Sequence, residues 1–132
     1  MKFQTIGNPN DSLIIMLPGS FCPSSGLNYL YEKLKDDYCI VLVEYNGHYE
    51  NSTFSSRQNE AKEVVEYIQK QNIHTIKMIY GQSMGAEIAI ELFKQLEKTN
   101  IDVDYCFLER HVLNFLIYIK NSCILNLTKY LK

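Results

Sequence analysis

No C-x-x-C pair occurs among the four cysteines, Cys22, Cys39, Cys106 and Cys123, so the spacing spells out neither a zinc-type site nor a redox dithiol. Cys39 and Cys106 lie inside apolar, strand-like runs, which points to buried reduced thiols, with no metal and no disulfide. An excess of positive charge is also missing. The formal net charge of −2 argues against a polyanionic partner, and no nucleic acid is expected. The first residues, Met1-Lys2-Phe3-Gln4-Thr5, contain no apolar signal core, so the default expectation is a cytoplasmic protein. No apolar stretch approaches the ~20 residues of a membrane span. Repeats, linkers and low-complexity segments are absent, and 132 residues with 46% hydrophobic content make one domain, 1–132, with a real core. One further absence is local. Residues 110–132 hold four Lys/Arg and no acid, whereas residues 1–109 hold all fifteen Asp/Glu against nine Lys/Arg.

What is present is an alternation of two periods. Residues 12–17 and Cys39-Ile40-Val41-Leu42-Val43 are continuous apolar runs, the mark of strands covered on both faces. Residues 75–80 and 103–108 predict a third and a fourth strand. Between them, helical spacing recurs. Pro23-Ser24-Ser25 offer caps before the stripe Leu27, Leu30, Tyr31 and Leu34; Ser55-x-x-Gln58 has the form of a capping box before Ala61, Val64, Val65 and Ile68; Ile88, Ala89, Leu92, Phe93 and Leu96 mark a third helix. Strands alternating with helices predict an α/β fold: a parallel sheet of four or five strands with helices on both faces, a three-layer αβα sandwich. With the second strand outside the first and the third on its other side, the order is 2-1-3-4 and the winding reverses between the first and third. Ligands bind at the carboxyl ends beside such a reversal. Two turns emerge there, Pro18-Gly19-Ser20-Phe21 and Gly81-Gln82-Ser83-Met84-Gly85.

The second of these reads G-x-S-x-G, entered from a β-prone run and left into a helical one. A turn that tight excludes bulky neighbours, which accounts for the elbow glycines Gly81 and Gly85, and it holds the Ser83 hydroxyl out at the N-terminus of a helix, where negative charge is stabilised. It lacks the Lys-Ser/Thr end of a phosphate loop, and no nucleotide or other cofactor is expected.

With this elbow and a Gly-bearing loop after the first strong strand, residues ~12–109 resemble the α/β-hydrolase fold family. The resemblance implies a serine hydrolase or acyltransferase core acting on a small-molecule ester, thioester or amide, with Ser83 as nucleophile. It implies an oxyanion hole from the backbone N–H of Met84 and that of Ser20 or Phe21. Pro18-Gly19 stands where many members have His-Gly. Asn46-Gly47-His48 resembles an architectural loop of the family. The family's acid and histidine follow the nucleophile on later strands, and only 49 residues follow Ser83, so the triad is expected to be incomplete. His74, Asp102 and Asp104 precede strands and belong to the opposite edge of the sheet. His48 follows a strand two positions, about 10 Å, from the serine strand. Glu109 (acid) and His111 (base) follow the adjacent fourth strand and keep the Ser-acid-His order. No lid or acyl pocket is legible.

The divergent tail, 110–132, places Val112, Phe115, Leu116, Ile119, Cys123, Leu127, Tyr130 and Leu131 at roughly helical spacing, which predicts a helix on the exposed side of the fourth strand. That strand is expected to be an edge, with a partner or a second copy covering it unless the tail does. The shift in composition at Glu109 suggests a gene truncated or changed in frame nearby. Two function classes follow: a small acyl-transfer enzyme working through Ser83, and a non-catalytic remnant or binding module that keeps the fold and its crevice.

Overall fold

A computed structural model of the chain describes residues 1–111, 114–119 and 122–126, with side chains through residue 109. The two fully apolar runs become β2 (Leu13–Leu17) and β3 (Cys39–Glu44), both buried almost end to end. They pair in parallel, and β4 (Thr75–Gln82) lies on the other side of β2, followed by β5 (Asp102–His111), also in parallel. This is the 2-1-3-4 order expected from the alternation of runs. The edges were not foreseen. β1 (Lys2–Ile6) adds antiparallel to β3, and β6 (Asn114–Ile119) and β7 (Ser122–Asn126) add antiparallel beyond β5. The result is one mixed sheet of seven strands, β1-β3-β2-β4-β5-β6-β7, with a parallel centre.

Alternation of side chains along the strands divides the core. Leu13, Ile15 and Leu17 of β2 face the same way as Val41, Ile76 and Cys106, and are covered by α2 (Arg57–Lys70) and α3 (Met84–Leu96). Ile14, Met16, Ile40, Leu42 and Tyr80 face the other way, under Leu27 and the short α1 (Asn28–Leu34). Helices therefore cover both faces. The expected stripes are the ones that pack: Ala61, Val64, Val65 and Ile68 on α2, and Ile88, Ala89, Leu92 and Leu96 on α3. None of the helices among the described residues is long and apolar enough to cross a membrane.

Three local readings are corrected. The cap of α2 is Ser56, whose hydroxyl accepts from the Asn59 N–H at 3.1 Å, so the motif begins one residue after Ser55. Pro23-Ser24-Ser25 supply no side-chain cap. Instead Pro23 leads into a 3-10 turn, Ser24–Leu27, that hands over to α1. The tail is β, not helical, over 114–119 and 122–126, and β6 pairs with β5 from Tyr105↔Ile119 to Glu109↔Phe115. The fourth predicted strand is thus interior, and its outer ladder is filled by β6 of the same chain. The helical readings at Val112, Leu127, Tyr130 and Leu131 fall outside the described residues.

Candidate functional site

Ser83 stands between the last residue of β4 and the first of α3 with φ 52° and ψ −117°, a conformation strained for any residue with a β-carbon. Its neighbours explain why the backbone is held there. A β-carbon on Gly81 would lie 2.4 Å from the Gly85 carbonyl oxygen, and one on Gly85 would lie 2.1 Å from the carbonyl oxygen of Leu17. Only glycine at both positions lets α3 start this close to the ends of β2 and β4. The Ser83 N–H donates to the Glu109 carbonyl at 2.7 Å and its carbonyl accepts from the Ala86 N–H at 2.9 Å, so both sides of the elbow are fixed. The side chain is exposed and makes no capping bond to the helix, which leaves Oγ free for chemistry. At the N-terminus of α3 the helix leaves its first backbone donors, Met84 among them, short of intrahelical acceptors, which favours negative charge beside the elbow.

Facing the elbow is the loop after β2. Gly19 is buried, and a β-carbon on it would be 3.5 Å from the Ser83 Cβ. The Cys22 N–H closes a turn onto the Gly19 carbonyl at 3.2 Å, with Phe21 at φ 55°. Ser20 and Phe21 therefore occupy the middle of a turn whose closing bond uses neither of their amides. Ser20 Oγ also reaches the Met84 sulfur at 3.3 Å, tying the two halves of the expected oxyanion hole together. Behind the loop, Tyr45 donates from its buried hydroxyl to the Pro18 carbonyl at 2.8 Å, and burial holds that phenol well above its ordinary pKa.

Sequence reasoning singled out Asn46-Gly47-His48 in this loop and missed the support that Tyr45 gives. It also missed the buried carboxylate of Glu60, which accepts from the Asn46 N–H at 3.1 Å and from Asn46 Nδ2 at 3.0 Å. Asn46 in turn donates to Glu63, whose carboxylate also meets the Met1 amino group at 3.2 Å. The signal for Glu60 was present: it lies four residues before Val64, on the buried stripe itself. These bonds fix the loop after β3 to α2.

Of the expected acid and base, Glu109 is described through its side chain and His111 through its backbone alone. Glu109 ends up on the α1 side of the sheet, where its carboxylate accepts a hydrogen bond from the Tyr80 hydroxyl. Burial first, and that bond second, push the Tyr80 phenol far above its usual range. Gln82 Nε2 donates to the Tyr29 hydroxyl at 3.3 Å on the same side. His111 is the last residue of β5, past a register shift that begins at Glu109, and its side chain lies outside the described residues. His48 stacks on Phe21, with ring centroids 6.1 Å apart, and meets the Tyr45 ring edge-on at 5.4 Å. His74 and Asp104 line a shallow cleft with Asp11 and Lys77 at the opposite end of the strands, and the His74 carbonyl accepts from the Asp102 N–H at 2.9 Å. Cys39 and Cys106 are buried free thiols, both pushed up in pKa by burial, Cys106 to about 12. Cys22 is only half-buried.

A parallel sheet in this order, with a strained serine at the β4–α3 elbow and a glycine loop against it, is the core portion of the α/β-hydrolase fold. Solved structures agree on the fold. An alpha/beta hydrolase family protein from Desulfitobacterium hafniense is similar over 81% of this chain and 43% of its own, with 24% identity and a TM-score of 0.75. The type II thioesterase BorB of the borrelidin biosynthetic cluster is similar over 80% and 47%, with 17% identity and a TM-score of 0.71. An esterase from Exiguobacterium antarcticum is similar over 80% and 39%, with 23% identity and a TM-score of 0.66. The chain thus spans less than half the length of each of these structures. Neither a family model nor a curated protein matches the sequence.

Proposed function

We propose that the chain is a serine hydrolase or acyltransferase core acting on an ester, thioester or amide through Ser83, and that within residues 1–132 it is catalytically incomplete. The observation that carries the first half is the Ser83 backbone, strained at φ 52° and ψ −117°, with an exposed hydroxyl not used for capping. In this reading Oγ attacks the acyl carbonyl. The oxyanion that forms is met by the Met84 N–H and by the N–H of Ser20 or Phe21, fixed donors that need no reorganisation as charge develops. Collapse of the oxyanion breaks the bond to the alcohol, thiol or amine, which departs with the proton given up by Oγ, and the acyl-serine left behind passes its acyl group to water or to another acceptor, restoring the Ser83 hydroxyl.

The second half rests on the partners of the candidate bases and acids. His48 is stacked on Phe21 and meets Tyr45 edge-on, His74 is at the wrong end of the strands, and Glu109 is occupied by Tyr80. Without a base the Ser83 hydroxyl keeps its proton and is a weak nucleophile at neutral pH. An oxyanion hole and binding alone still leave ~10³–10⁴-fold catalysis over water.

Exposing the pure protein to a fluorophosphonate probe and to a p-nitrophenyl ester, beside Ser83→Ala, tests both halves. Slow labelling and a trace turnover, both lost in Ser83→Ala, are expected. Identical behaviour of the two proteins would instead favour a non-catalytic binding module, a reading that the Tyr80–Glu109 bond also supports. Robust turnover that falls in His111→Ala but not in His48→Ala would refute the incompleteness and establish a compact triad of Ser83, Glu109 and His111.

A further inference from the structure

Between the loop after β2 and the loop after β3 lies a cleft of about 250 Å³ lined by Phe21, Pro23, Glu44, Gly47 and His48. It begins where the candidate oxyanion loop ends, since Phe21 belongs to both. The ring of Phe21 is 94% exposed, although it is stacked on His48 and its backbone is held at positive φ. A large apolar side chain in a strained conformation, presented to solvent at the rim of a crevice, gains nothing for the fold and is placed to meet a ligand.

The lining also includes Glu44, the half-buried last residue of β3. Among the described residues its carboxylate takes part in no ion pair. Lys2, directly across the β1–β3 ladder, is the nearest candidate by register, but its ammonium lies 4.2 Å from the centre of the Tyr49 ring instead. The cleft thus combines aromatic faces, which attract cations through their quadrupole, with a carboxylate free to accept a charge-assisted hydrogen bond. A neutral acyl chain would leave that carboxylate desolvated and unpaired, at a cost.

We propose that this cleft binds an ammonium group carried on a small apolar body. Joined to the reading of Ser83 as nucleophile, on which this step rests, the substrate is a cationic amine-bearing ester, thioester or amide, with its charged end between Phe21 and Glu44. Neither Phe21 nor Glu44 acts on the reacting bond in this capacity. They select.

Benzylammonium and its neutral isostere benzyl alcohol are the probes, titrated into ¹⁵N-labelled protein while amide shifts of Phe21, Gly47 and His48 are followed. Benzylammonium should bind at millimolar concentration and shift those amides, with benzyl alcohol at least tenfold weaker and Glu44→Gln losing the difference. Binding should be the same in Ser83→Ala, so a failure of serine chemistry and a failure of the cleft are read separately. Equal affinity for the two probes would overturn the proposal in favour of a neutral apolar subsite, and shifts elsewhere on the molecule would overturn the cleft as the binding site. So would no binding of either probe at 50-fold higher concentration. Should Glu44→Gln fail to fold, the comparison of the two probes on the unaltered protein still decides.

Discussion

A β-carbon on Gly85 would sit 2.1 Å from the Leu17 carbonyl oxygen and 2.5 Å from that of Pro18. Backbone carbonyls cannot swing aside as a flexible side chain can, so Gly85→Ala must lift α3 off the end of β2. A loss of roughly 2–4 kcal/mol is expected in urea unfolding, in the range for overpacking at a fixed contact, together with loss of any Ser83 labelling. Glu60 makes the contrasting case, a polar group whose value lies in its partners. Glu60→Ala leaves the buried Asn46 N–H without an acceptor and its side-chain amide with Glu63 alone, and should cost about 3 kcal/mol; Glu60→Gln, which still accepts one bond, should cost less, and equal losses would mean the pairing is unimportant. Cys106 supplies a pH dependence. Its thiol is raised from 9.0 to about 12 by burial, so folding favours the protonated form. The stabilisation is complete below pH 9, because neither state ionises there, and it is lost between pH 9 and about 12 as only the unfolded chain gives up its proton. At pH 10 the loss is about 1.4 kcal/mol, and Cys106→Val should remove that part of the alkaline decline.

At the scale of elements, α2 was placed correctly by its stripe while its cap was off by one residue, because Ser55 and Ser56 both have a polar residue three positions on and only the geometry selects between them. Ser56→Ala should lower stability by about 1 kcal/mol and Ser55→Ala by much less, as thermal melts of the two variants would register. The tail was misread for a different reason. Phe115, Leu116 and Ile119 satisfy a helical stripe, but Phe115-Leu116-Ile117-Tyr118-Ile119 is equally a short apolar run rich in aromatic and β-branched residues, and short runs do not separate the two periods. What decides is the open ladder of β5, which offers a strand partners for its backbone and a helix none. Deleting 112–132 should therefore strip the ladder from β5, with a sharp drop in soluble yield and melting temperature; an unchanged melting temperature would mean that β6 protects nothing.

On the scale of the whole molecule, the parallel centre was legible because β2 and residues 39–43 of β3 are apolar at every position and the handedness of crossovers leaves few ways to order the strands. Ser83, Gly81 and Gly85 were legible for a related reason: tight backbone contact leaves a mark in sequence that survives without neighbours. The first strand was not, since Lys2, Gln4 and Thr5 give it the polar composition of an edge covered on one side only. Nor was the cleft, whose walls come from two loops brought together by β2 and β3 lying side by side. Tyr45, whose hydroxyl ties one of those loops to the other, looks from sequence like a surface residue, whereas Glu60 betrays itself only by its place on the buried stripe of α2.

The sheet order has a consequence for how the protein breathes. With β2 and β4 at the centre and β1 and β7 at the margins, amide protons can meet solvent deuterium only as ladders open, and the outer ladders open at the least cost. Exchange at equilibrium should thus advance inward from both sides, fastest at β1 and β7 and slowest at Ile14, Ile15 and Met16 of β2. The Ser83 amide, bonded to the Glu109 carbonyl, should exchange with β4 and β5 and not with the exposed loop that faces it. The strained elbow would then share the lifetime of the core, opening only when the centre of the sheet does.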